Sequence, residues 1–178
     1  MIEQRIKLRK QTNAFAMQSG MIFGTFWCIS FLLLVSRFTP FKATFPLFLV
    51  ATPFIGFYLA RKFRRDVQED GSITYARGFW FSLQLYLYAT AILAIVVYIY
   101  FHFFDNGVFI QSYLESLSQP DVRAIFKAQG IQIQELEEAF KNINAVDMTA
   151  SIINFNAIIA IPMALLTAFF AITPSKKL

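Results

Sequence analysis

Charge is scarce in this chain: Asp, Glu, Lys and Arg make up 15% of its 178 residues, against about 25% in an average soluble domain. Cysteine is almost absent too. Cys28 stands alone, so no intramolecular disulfide can form, and in an apolar run a single thiol packs as a small hydrophobe. One histidine, His102, completes the inventory of soft metal ligands. No HExxH, GxSxG or phosphate-loop motif occurs, and no paired Cys or His has metal-binding spacing. Neither a catalytic set nor a cofactor is therefore expected. Hydrophobic residues account for 57% of the chain, with 22 Phe, more than the interior of one soluble domain of this length can bury.

The excess sits in four blocks, about 14–35, 45–60, 78–104 and 150–172, each approaching the roughly 20 apolar residues that cross a bilayer. Backbone groups in hydrocarbon must pair within the chain, so the blocks are expected to be helices. The expected fold class is all-α: a polytopic membrane helical bundle, 1–178 as one membrane domain, with four transmembrane helices. Between spans three and four a stretch of about 105–148 leaves the membrane, and it is too long to lack structure. Two or three short helices are expected there. Ser118-Gln119-Pro120-Asp121 reads as a cap and helix start, and Gly130 as a terminator. Ile133, Leu136, Phe140 and Ile143 recur at steps of three and four, giving an acidic amphipathic helix. Its sign favours a protein contact over a membrane surface.

Charge placement sets the topology. With the N-terminus inside, Arg5 to Lys10, Arg61 to Arg65, Arg77, Lys176 and Lys177 put 11 cations against 4 acids on the inner side, and 5 cations face 7 acids outside. That asymmetry follows the rule that Lys and Arg gather in cytoplasmic loops. The formal net charge of +5 is thus a record of orientation, and no nucleic-acid partner is expected. Arg61, Lys62, Arg64 and Arg65 read as topology anchors, with binding of anionic lipid headgroups as the second reading. The first span follows IKLRK but exceeds a signal-peptide core and lacks a small-x-small cleavage site, so it is expected to be retained.

Loops shape the bundle. SRFTPFKAT, with Pro40, is a tight outer turn that makes spans one and two a hairpin. RKFRRDVQEDGSITYA is an inner loop with a turn at Asp70-Gly71-Ser72, and Thr74 is an N-cap for span three. Within the spans the polar residues are amides and hydroxyls, and the ionisable groups that mark ion paths are missing. Gln84, Asn154 and Asn156 are candidate polar intramembrane contacts, for packing or for gripping a solute. Asn156, Ala160, Ala164 and Ala168 form a small-residue stripe suited to close packing. Gly20 and Gly24 form a GxxxG, expected to pack within the protein rather than between copies. Pro46, Pro53 and Pro162 are expected to bend or break their helices. His102 and Asp105, one turn apart, belong to an aromatic belt, with acid/base chemistry the lesser reading.

Gly71-Ser72-Ile73-Thr74-Tyr75 before span three, the Phe-rich end of that span, and Ala128-Gln129-Gly130-Ile131 followed by Gln134-Glu135-Leu136-Glu137-Glu138-Ala139 resemble one family along nearly the whole chain. It is the bacterial membrane family called domain of unknown function 4199, of Bacteroidota type. The resemblance carries no catalytic residues. It implies the inner membrane of a bacterium, multi-pass, with both termini cytoplasmic. The function expected is a non-enzymatic accessory or scaffold subunit. Its partners are membrane lipid, a protein docked on the outer helices 120–144, or further copies in a homo-oligomer. The alternatives are a small transporter or lipid flippase and an outer-surface lipid-modifying enzyme.

Overall fold

A computed structural model describes residues 2–36, 38–67, 73–105, 107–128 and 133–172. Among these residues the fold is all-α. Four long helices, α1 (Ile2–Val35), α2 (Thr39–Val67), α3 (Tyr75–Phe103) and α7 (Ala145–Ala171), are each long and apolar enough to cross a membrane. Three short ones, α4 (Val108–Leu117), α5 (Pro120–Ala128) and α6 (Ile133–Lys141), form the excursion.

The long helices outrun the apolar blocks. At 34 residues α1 measures about 51 Å, beyond the roughly 30 Å of hydrocarbon. Arg5, Lys7, Arg9 and Lys10 all ride on its first three turns. Likewise Arg61–Arg65 stand in the last turns of α2, which continues to Val67, where an inner loop was expected. Helix continues there because Ala, Arg, Lys and Phe oppose it little, and no Gly or Pro interrupts the stretch from Phe57 to Val67. The α1–α2 turn is shorter than expected: α2 begins at Thr39, and Pro40 takes its first turn, where a missing N–H costs nothing. Pro46, Pro53 and Pro162 all lie inside continuous helix, so they do not break it. Thr74 caps α3 as expected, its Oγ1 accepting the Arg77 N–H at 3.3 Å. Asp70-Gly71-Ser72 and Gly130 lie outside the described residues.

Contacts gather the chain into two compact units, residues 1–94 with 152–178, and residues 95–151. In the first, packing is close and aromatic. Phe63 of α2 stacks on Phe81 of α3 at 4.1 Å between ring centroids and meets Phe15 of α1 at 5.7 Å. A Cβ added to Gly20 would come within 2.5 Å of Tyr88 Cβ, and one on Gly24 within 2.9 Å of Ile92 Cβ. The GxxxG therefore seats α3 directly against α1 inside one molecule. Ala160, Ala164 and Ala168 are 0–1% exposed, whereas Leu47 of α2 and Ile158 of α7 are 69% and 71% exposed. On α7, small residues inside and large aliphatics outside is the arrangement of a helix surrounded by lipid, where close backbone approach adds to the aromatic core.

In the second unit, Tyr113 of α4 packs on Phe140 of α6 at 4.7 Å, and Arg123 of α5 pairs with Glu137 of α6 at 3.3 Å. Part of the α6 apolar stripe is thus used on its own neighbour. The α5 helix starts at Pro120 as expected. Ser118 does not act as its side-chain cap: its hydroxyl donates to Glu115 O at 2.7 Å, closing α4 instead.

Candidate functional site

The cationic ends of α1, α2 and α3 and the C-terminal end of α7 meet in the first unit. Arg64 Nη1 donates to Ala171 O at 2.7 Å. That carbonyl belongs to the last turn of α7, where no intrahelical donor remains and the helix dipole favours a cation. Of the four residues expected to anchor topology, Arg64 thus has a specific structural task. Arg61 stands over the ring of Phe57, one turn back, at 5.3 Å. Lys62 and Arg65 are exposed.

A larger polar assembly lies between α1 and α3. Arg77 Nε donates to Thr12 Oγ1 at 3.2 Å and Arg77 Nη2 to Gln11 Oε1 at 3.2 Å. Its guanidinium carbon lies 5.4 Å from the centroid of the Phe63 ring, within cation–π range. Thr12, in turn, donates to Leu8 O at 2.8 Å. About three turns further along α3, Tyr88 Oη donates to Asn13 Oδ1 at 2.6 Å. These bonds hold apart the edges of a cleft of about 980 Å³ whose lining includes Arg9, Lys10, Arg77, Thr74, Trp80 and Gln84. Among its described lining residues three are cations and none is an acid. Its size falls at the upper end of the range of about 300–1,000 Å³ typical of small-molecule sites.

Gln84 is the candidate polar residue that enters this cleft, and its Oε1 is buried there with no hydrogen-bond donor. Asn154 and Asn156 do not join it. Gly78 of α3 faces Ala168 of α7, and the two helices run in opposite directions. Asn156 therefore stands about six residues, roughly 9 Å, above the level of Gln84. Asn154 is exposed and Asn156 half-buried. The stripe above Ala168 is a packing surface: Thr167 meets Tyr86 Oη at 3.2 Å, and Gly56 of α2 leaves room for that same hydroxyl.

His102 and Asp105 are also separate in chemistry. Asp105 is 2% exposed, and its carboxylate accepts the Phe109 N–H at 3.1 Å, capping the first turn of α4. His102 stacks on Tyr98 at 5.3 Å and meets Phe103 edge-on. This is the aromatic arrangement expected of it, with the acid occupied elsewhere.

The cleft is not visible in the sequence, where Arg77 counts as one more inner cation and Trp80 and the run Gln11-Thr12-Asn13 form no motif. A signal was present. Arg77, Trp80 and Gln84 are spaced i, i+3, i+7 and share a helix face, and Gln11-Thr12-Asn13 follows the basic run directly. Neither a curated protein nor a solved structure matches the chain. The family model described as "Protein of unknown function (DUF4199)" matches residues 18–171, which takes in α1 from Gln18 onward, the other three long helices and the excursion, and the chain belongs to that family.

Proposed function

We propose that this multi-pass membrane protein is a non-enzymatic accessory subunit of a bacterial inner membrane, with both termini cytoplasmic, that engages the anionic leaflet through its cationic end. The observation that carries the reading is the gathering of Arg9, Lys10, Arg61, Lys62, Arg65 and Arg77 on the ends of three helices that pack together. Each juxtamembrane Lys or Arg contributes about 1 kcal/mol of attraction to an anionic surface. No charge stands in the described spans between Asn13 and Val35 or between Gly78 and Phe103, which suits a protein that stays in place rather than one that carries ions.

Protein docking on the outer helices is the second surface of this reading. Ile125 of α5 is 58% exposed and stands free of the Tyr113–Phe140 contact that occupies α6. The test is extraction in a mild detergent, followed by analysis of what travels with the protein. Anionic lipid enriched over its membrane fraction is the expected result. Retention of lipids in simple proportion to their abundance contradicts it.

A further inference from the structure

We infer that the cleft between α1 and α3 binds the phosphate-bearing headgroup of an anionic glycerophospholipid. The inference rests on the reading that the cationic end meets an anionic leaflet, and narrows it to one site. Arg9 and Lys10 are exposed at the cleft and Arg77 is held in place by Gln11, Thr12 and the Phe63 ring. Three cations on two helices line this one cleft, with no acid among the described lining residues. A hydroxyl and an amide on α1 orient the Arg77 guanidinium.

A free phosphate and a lipid headgroup share this chemistry, and two residues favour the lipid. Trp80 lines the cleft and is 58% exposed, and an indole so placed is suited to the headgroup level of a bilayer. Gln84 lies two turns deeper than Arg77 along α3, about 10.5 Å towards the hydrocarbon. Its buried Oε1 has no donor. The same amide carries an NH₂ group, a hydrogen-bond donor, at this inner end of the cleft. There it meets the kind of acceptor that a glycerophospholipid carries on the tail side of its phosphate, an ester carbonyl. An inorganic ion bound at Arg9, Lys10 and Arg77 carries nothing that reaches Gln84.

The test uses the full chain purified in neutral detergent and titrated with phosphatidylglycerol or with phosphatidylcholine of the same acyl chains. Retained lipid is read by native mass spectrometry. The unaltered protein is expected to retain phosphatidylglycerol in preference to phosphatidylcholine. The double variant Arg9→Gln/Lys10→Gln, at exposed positions that leave the packing intact, should weaken that retention about 25-fold, or about fivefold per cation. Gln84→Leu should weaken it while leaving the net charge unchanged. Arg61→Gln/Lys62→Gln, which removes the same charge outside the cleft, should weaken it far less than Arg9→Gln/Lys10→Gln does. An equal loss in the Arg61/Lys62 variant overturns the site but leaves the broader leaflet reading standing. Equal retention of both lipids by every variant overturns both. Displacement of phosphatidylglycerol by inorganic phosphate alone, with Gln84→Leu unaffected, makes the cleft an ion site and overturns the lipid assignment.

Discussion

At the scale of single residues, this protein depends on atoms that are absent. Gly20 has Tyr88 Cβ at 2.5 Å from where its own Cβ would stand, so Gly20→Val must push α3 away from α1. A loss of about 1–3 kcal/mol is expected, the usual cost of overpacking, read as a lower midpoint of thermal unfolding in detergent. Gly107 has open space at the corresponding position but a φ of 79°, so there the strain would come from the backbone. Asp105 makes the opposite kind of contribution, an added group rather than a missing one. Its carboxylate caps α4 through the Phe109 N–H, so Asp105→Ala should cost about 0.5–2 kcal/mol. Faster hydrogen exchange confined to the first turn of α4 is the measurement. If His102 and Asp105 instead shared a proton, His102→Ala would loosen that turn equally; stacked on Tyr98, it should not.

At the scale of elements, the C-terminal end of α7 is closed by a neighbouring helix. Arg64 holds the last turn of α7 through Ala171 O, and a charged hydrogen bond of this kind contributes about 1.5 kcal/mol. Arg64→Gln should accordingly increase proteolysis after Ala171, whereas Arg61→Gln, whose side chain rests on its own helix at Phe57, should not. In the excursion, the exposed Arg123–Glu137 pair contributes under about 1 kcal/mol, so Phe140→Ala should loosen α6 more than Arg123→Ala does. Exchange rates across α6 in the two variants decide this. These elements also show what a sequence can and cannot reveal. Span positions, the Thr74 cap and the start of α5 were legible because apolar runs, hydroxyls before helices and Pro at a first turn act locally. Helical continuation through Arg61–Arg65 was not, because the same cations serve equally well in a loop. Ser118 turned backward to α4 rather than forward to α5, a choice between two adjacent helices that spacing alone leaves open.

At the scale of the whole molecule, the surrounding solvent organises everything else. Ile158, Leu166, Phe169 and Phe170 of α7 are 55–71% exposed while Ala164 is fully buried, an inside-out pattern that water would not tolerate over four helices. Composition made that legible at once. The cleft was not, since it depends on how α1 and α3 face each other, and Arg77 looked like one more cation in a basic stretch. Orientation ties the cleft to its leaflet, so it bears the most direct measurement. In a Cys28→Ser background, single cysteines at Ser118 in the outer helices and at Lys7 on α1 are exposed to a membrane-impermeant thiol reagent in intact cells. The expected result is labelling at position 118 and protection at position 7 until the membrane is permeabilised. Labelling at position 7 in intact cells, or protection at position 118, contradicts a bundle whose cationic end faces the cytoplasm.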